Sequence, residues 1–209
     1  MPRFSRVAKN RPQARTLATK AKLLDAAQAL FAEQGFEKTQ LEEVAARAGY
    51  SRGAIYAHYS SKEDLFLELM EHRVHTKFAI VRGQIDNEPD ISKRPAIFKR
   101  WMARQICDPA WGTLTLEFKL YAIRRPRLRE KLLKLYEAFL KDAGKDLVEV
   151  LFGKGLSKAR RTLLDRRLAV MSGALSGLVL ESHFRPSLLP PNHLQQLAEE
   201  LFEALMQPN

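Results

Sequence analysis

Residues Leu41–Tyr59 read LEEVAARAGYSRGAIYAHY. Leu41, Val44, Ala45 and Ala48 fall at i, i+3, i+4 and i+7, the spacing that lines one face of an α-helix. Thr39 or Gln40 starts this helix. Gly49 ends it, at a tight bend that a side chain is expected to hinder. Ser51 is a favoured N-cap residue, and a second short helix is expected from Arg52 to about Tyr59. Two short helices meeting at such a turn outline a helix-turn-helix: the first braces the second, and the second enters the major groove of DNA. Ile55 and Tyr59 then face inward, while Arg52, Gly53, Ala54, Tyr56 and His58 face outward. Gly53 and Ala54 allow close approach to base edges, and Arg52 suits a bidentate contact to guanine. Lys62 and the amides at the start of the next helix suit a phosphate, and Thr39 and Gln40 suit another.

Upstream, Leu17, Ala21, Leu24, Ala27 and Phe31 repeat at spacings of three and four, which predicts a helix from Thr16 to about Gly35. Residues 1–22 hold seven Lys or Arg and no acid. Their first part, 1–15, reads as a flexible basic arm, either touching DNA or only ending the chain. Downstream, Ser61 and Asp64 resemble a capping box. The helix they open carries Phe66, Leu69, Met70, Val74 and Phe78 on one face. Gly83, Asn87, Pro89 and Pro95 then interrupt the pattern, so 83–95 reads as a linker. Further helices are expected at about 96–107, 110–124, 127–152, 160–184 and 192–206. No strand pattern, internal repeat or heptad array is visible. The expected fold is all-α, with about nine helices: an arm (1–15), a DNA-binding domain with its connecting helix (16–82) and a helical C-terminal domain (83–209).

Composition sets outer limits. The 209 residues carry 35 Lys+Arg against 24 Asp+Glu, a formal charge of +11. A chain of this length buries roughly 70% of its unfolded surface and needs no disulfide or metal staple. The single cysteine, Cys107, excludes an intrachain disulfide and a Cys-based zinc site. No apolar run is long enough for a membrane span, and the basic N-terminus lacks a signal-peptide core. A cytoplasmic protein without a membrane partner is expected. The charge points to a polyanion, but its placement is uneven: residues 23–82 hold seven basic and nine acidic residues.

The run from Leu41 to Leu65, LEEVAARAGYSRGAIYAHYSSKEDL, resembles the DNA-binding domain of the TetR/AcrR family of bacterial transcriptional regulators. Ala26–Phe36, AAQALFAEQGF, resembles the family's first helix and its Gly-aromatic ending. The resemblance covers about residues 16–80. It implies a homodimer in which each subunit has a three-helix DNA-binding head, a fourth connecting helix and an all-α C-terminal ligand-binding and dimerisation domain. Tyr56, His58 and Lys62 match positions that contact or buttress the DNA backbone in relatives. Ser51, Arg52, Gly53 and Ala54 match the variable start of the recognition helix. Tyr59 stands where Phe is commoner, and Gln40 where Thr or Ser is commoner.

The C-terminal half offers several candidates with two readings each. Phe98, Trp101, Met102, Trp111, Phe118, Tyr121, Tyr136, Phe139 and Met171 line a ligand cavity or fill a core. Glu117 meets a cationic ligand or pairs with Lys119 or Arg124. Ser172, Gly173, Ser176 and Gly177, with Leu197, Leu201 and Leu205 of the last helix, form a dimer interface or pack within one subunit. Glu68, His72 and His75 share a helix face and can ligate a metal, though a solvated face is the simpler reading and no metal is assigned. The basic run from Lys119 to Lys134 is a solvated face or attracts an anion. There is no phosphate loop, nucleophile elbow or carboxylate pair, so no enzyme and no cofactor is expected. The expected function is a ligand-responsive transcriptional regulator, a repressor by preference. It binds a palindromic double-stranded DNA operator as a homodimer and is released by a small-molecule effector.

Overall fold

The computed structural model describes residues 11–106, 108–140 and 147–207, without the side chains of residues 11–13, 139 and 140. The described residues form ten α-helices, one short 3-10 turn and no strand. Within the expected 127–152, the described residues form α7 (Pro126–Leu140) and α8 (Leu147–Phe152), and residues 141–146 lie outside the described ones. Cys107 and most of the expected arm lie outside the described residues. Contacts divide the chain into two compact units, Met1–His72 and Arg73–Asn209. The expected boundary was 82/83. The division falls earlier because Phe78, Val81 and Ile85 are buried in the core of the second unit.

The first unit holds α1 (Arg11–Lys38), α2 (Leu41–Arg47), α3 (Arg52–Tyr56) and the start of α4 (Lys62–Asp86). Helix α1 starts before Thr16, so residues 11–15 are helical rather than part of an arm. Leu17 and Ala21 continue the apolar period but stay exposed; burial begins at Leu23 and Leu24 and runs through Ala27 to Phe31. At Gly35 the backbone leaves the helical region (φ 82°), which lets Phe36 turn back onto the core. The Phe31 and Phe66 rings meet edge to face at 5.1 Å, and Phe36 lies 5.7 Å from Phe31 and 5.3 Å from Phe66. Such aromatic contacts add about 0.5–1.5 kcal/mol each beyond area burial. Val44, Ile55 and Leu65 complete the core at zero exposure, which ties α2, α3 and α4 to α1.

In the second unit, α4 continues to Asp86 and passes through Gly83 without a break. The cost of one helical glycine is about 1 kcal/mol. Burying Val81 and Ile85 on either side returns roughly 1.5–3 kcal/mol each, so packing outweighs propensity. The break that remains is short: residues 87–90 and a 3-10 turn at Ile91–Lys93. Then follow α5 (Arg94–Gln105), α6 (Pro109–Ile123), α7, α8, α9 (Lys158–Phe184) and α10 (Pro191–Met206). Phe98 and Met102 of α5, Leu147, Val150 and Leu151 of α8, Met171 of α9 and Phe202 of α10 join the α4 residues in one cluster. A second cluster holds Ala103, Ile106, Val179, Leu194 and Ala198. Arg73 of α4 pairs with Asp108, the N-cap of α6, and its guanidinium lies 4.3 Å from the Trp111 ring centre.

Helices α6 and α9 cross closely at Gly112, where a Cβ would stand 3.0 Å from both methyls of the buried Val179. At Gly83 a Cβ would meet nothing within 4 Å. Gly112→Ala is therefore expected to lower unfolding stability by about 1–3 kcal/mol through overpacking. Gly83→Ala is expected to raise it by about 0.5–1 kcal/mol. Urea unfolding of both variants checks the pair, and shifts of the same sign would contradict it.

Candidate nucleic-acid interface

The turn between α2 and α3 is built by two complementary caps. After the C-cap Ala48, Gly49 takes φ +76°. Its N–H donates to the Ala46 carbonyl at 3.1 Å, and the Tyr50 N–H donates to Ala45 at 2.8 Å. This pair of bonds is a Schellman ending, which satisfies carbonyls that a helix end leaves open. Ser51 is then extended, and its hydroxyl accepts from the Ala54 N–H at 3.3 Å to start α3. The glycine requirement differs from the steric one expected, because a Cβ at Gly49 would meet nothing within 4 Å. The positive φ is what demands glycine here. Helix α3 is a residue-sparing version of the expected one: it ends at Tyr56, and turn bonds from His58 and Tyr59 to the Ile55 carbonyl carry the chain on.

Polar contacts lock this pair against its neighbours. Arg47 at the end of α2 grips Glu33 of α1 through both terminal nitrogens, at 2.5 and 2.6 Å. The Glu43 carboxylate accepts from the Gln40 N–H at 3.1 Å and from Gln34 at 2.8 Å. Lys20 of α1 meets both oxygens of Glu68 of α4 at 2.9 Å. Its ammonium lies 5.6 Å from the ring centre of Tyr59, which is buried as expected. Burial, and then the Glu68 charge, push the Tyr59 hydroxyl well above its ordinary pKa, so it stays protonated. With Glu68 engaged by Lys20, the face it shares with His72 and His75 has an ion pair where a metal site was considered.

The outward face carries most of the expected DNA-binding residues. Ser51, Arg52, Gly53, Tyr56 and Gln40 are exposed, while Ala54 and His58 are half-buried. Two expectations change. Thr39 is fully buried, and its hydroxyl donates to the Gly35 carbonyl at 2.7 Å, so it supports the end of α1 instead of facing a phosphate. Lys62 is half-buried: its ammonium donates to the Glu37 carbonyl at 2.7 Å and lies 4.7 Å from the Phe36 ring centre. One residue was missed altogether. Glu42 of α2 accepts from the Tyr56 hydroxyl at 2.9 Å and pairs with Arg52 Nε at 3.2 Å. Its own backbone N–H, then Tyr56, then the Arg52 charge hold its carboxyl below the usual range. The three residues lie on two helices, so only the turn geometry brings them together.

The C-terminal candidates fall into two groups. Phe98, Met102 and Met171 are buried in one core cluster, with Trp101 packed against it. Trp111, Glu117, Phe118 and Tyr121 are on α6 and Tyr136 is on α7; the Phe139 side chain lies outside the described residues. Phe118 is fully buried, Arg125 lies 3.4 Å from the Tyr121 ring centre, and Lys119 lies 5.3 Å from that of Tyr136. Burial lowers the Lys119 pKa and pushes Tyr136 up to about 12. An open groove of about 410 Å³ runs along polar residues of α10, Asn192 to Glu203, and includes none of these side chains. Of the expected dimer residues, Ser172, Gly173 and Gly177 are exposed and Ser176 is half-buried. Leu197 is also half-buried, whereas Leu201 and Leu205 pack against the core of the same chain.

Because the turn depends on conformation and not on space, Gly49→Ala is expected to cost about 1–2 kcal/mol of stability. Gly49→Asn should cost less, since Asn tolerates the left-handed region better. Equal losses in thermal unfolding would show that crowding matters here after all.

Comparison with known proteins agrees with this geometry. Residues 23–69 match the family model described as bacterial regulatory proteins, tetR family. A regulator from Shigella flexneri, the HTH-type transcriptional regulator AcrR, is 49% identical over 53 residues, 25% of this chain and 25% of the relative. The probable acrEF/envCD operon repressor of Escherichia coli K12 is 42% identical over 59 residues, 28% of this chain and 27% of the relative. The match thus spans about a quarter of each relative's length. A solved structure, the fatty acid degradation regulator FadR from Bacillus halodurans, superposes with a TM-score of 0.69 over 91% of this chain and 97% of that one, at 21% identity. That likeness extends the fold to the C-terminal unit. These relatives are named, in turn, a transcriptional regulator, an operon repressor and a regulator. With its Schellman-capped α2, its Ser51-capped α3 and the match over 23–69, the first unit is similar to the DNA-binding part of bacterial regulatory proteins of the tetR family.

Proposed function

We propose that this regulator is a ligand-responsive repressor, acting in the cytoplasm as a homodimer on a palindromic operator. The observation that carries the DNA-binding part is the exposed start of α3, with Arg52, Gly53 and Tyr56 outward and Ile55 buried behind them. In the proposed complex α3 enters the major groove, where Arg52 reads a base edge and Gly53 and Ala54 permit close approach. Gln40, Ser51, His58 and Lys62 fix the register on phosphates, and Tyr56 lies beside Arg52 on the same face. Two heads then read half-sites about 34 Å apart.

A stripe on α9 supports the dimer. Val170, Gly173, Gly177, Leu180 and Phe184 follow one another at alternating spacings of three and four, and all are exposed. Phe184 is 75% exposed and Val170 57%, and a Cβ at Gly173 or Gly177 would meet nothing in this chain. Large apolar groups beside small ones at helical spacing suit close packing on the same helix of a second copy. The expected residues on α10 contribute less in this reading, because Leu201 and Leu205 pack against the core of the same chain.

The effector is proposed to bind the C-terminal unit and favour a dimer whose heads no longer match the operator. The ligand must bind that state more tightly, and the operator must weaken ligand binding by the same factor. The Arg73–Asp108 pair and the Trp111 ring tie the start of α6 to α4, which supports such a coupling.

Selection of bound fragments from genomic DNA should return a two-fold repeat, and enrichment of unrelated sequences would contradict the operator reading. Arg52→Ala is expected to lower operator affinity by about 10-fold or more and to relax one base position per half-site. Lys62→Ala should weaken all sequences alike. Leu180→Asp with Phe184→Asp is expected to halve the particle mass measured by sedimentation; an unchanged mass would remove α9 from the interface.

A further inference from the structure

We propose that Glu42 is a positioning residue for sequence reading: it holds Arg52 through Nε and leaves the terminal nitrogens of the guanidinium to a guanine edge. This rests on α3 being the recognition helix. Arg52 is 75% exposed, a state in which a long side chain ordinarily samples many rotamers. Here it is held from two sides. Glu42 Oε1 stands 3.2 Å from Nε, and the guanidinium carbon stands 5.6 Å from the Tyr56 ring centre. The carboxylate is itself fixed, since the same oxygen accepts from the Tyr56 hydroxyl at 2.9 Å. Glu42 occupies the first turn of α2, where the helix dipole favours an acid.

The donor geometry of arginine makes this arrangement productive. A guanidinium carries five N–H donors in a planar fork. Engaging Nε leaves the outer edge, formed by the two terminal nitrogens, which is the edge that pairs with guanine O6 and N7. The Tyr56 hydroxyl has a single proton, and here it goes to Glu42. Tyr56 in this state supports Arg52 and has no proton left for a phosphate. The carboxylate has a second effect. On a face that meets a polyanion, an ionised acid penalises every register in which Arg52 finds no guanine to compensate for it. Specificity is a difference of affinities, and a repulsive element widens that difference. The pull of its own N–H, of Tyr56 and of Arg52 on Glu42 keeps the acid ionised at neutral pH.

The test compares affinity for the selected operator with affinity for random DNA of equal length at one salt concentration. Glu42→Ala is expected to lower the operator-to-random ratio by about 10-fold. Part of that change should come from tighter random binding, which a merely misfolded head would not show. Glu42→Gln keeps the shape and an acceptor without the charge, and should fall between the two. In an Arg52→Ala background, Glu42→Ala should change the ratio no further, because its partner is gone. An unchanged ratio in Glu42→Ala and Glu42→Gln, or an equal drop in the Arg52→Ala background, overturns the proposal while leaving the regulator reading intact. A wild-type protein that selects no sequence overturns both.

Discussion

Four residues, Ala48 to Ser51, separate α2 from α3, and the chain must change direction there without leaving backbone groups unsatisfied. Gly49 at φ +76° makes this possible, because it lets the amides of Gly49 and Tyr50 fold back onto Ala46 and Ala45. Ser51 then closes the other side of the turn by capping α3. The angle between the two helices follows from those bonds, and so does everything on the outward face. Ile55 reaches the core only because the turn points it there, and Arg52 and Tyr56 reach Glu42 for the same reason. The aromatic contacts among Phe31, Phe36 and Phe66 then hold α1 and α4 behind the pair.

Charge works on this unit in an unexpected direction. The chain is strongly basic, yet residues 23–82 carry more acids than bases. Several of those acids serve as local partners: Glu33 for Arg47, Glu68 for Lys20, Glu42 for Arg52 and Tyr56. Exposed pairs of this kind contribute little to stability, about 0–1 kcal/mol each. Their value lies in geometry, since each fixes the direction of a long cationic side chain. A unit that reads a polyanion gains more from a few aimed cations than from many mobile ones.

The elements that periodicity made legible were those with one buried face and clear ends. Helices α2 and α10 fall close to their expected limits because their seams and caps are local features. The errors have common causes. Gly83 looked like a break, but burial of Val81 and Ile85 carries α4 through it. Leu17 looked like core, but a continuing period does not supply a surface to pack against. Thr39 looked like a surface capping residue, and its burial depends on how the chain turns at Gly35.

The sequence by itself determined the all-α class, the helix-turn-helix with Gly49 and Ser51 at its turn, and the outward placement of Arg52 and Tyr56. Those features follow from period, capping chemistry and the allowed backbone angles of single residues, all of which act over a few positions. Tertiary structure alone decided which cation meets which acid, which apolar seam is buried, and which small residues of α9 remain open. Glu42 joins Arg52 and Tyr56 across a turn, and Gly112 meets Val179 across two helices. Such pairings depend on distances between segments far apart in the chain, and local spacing carries no record of them.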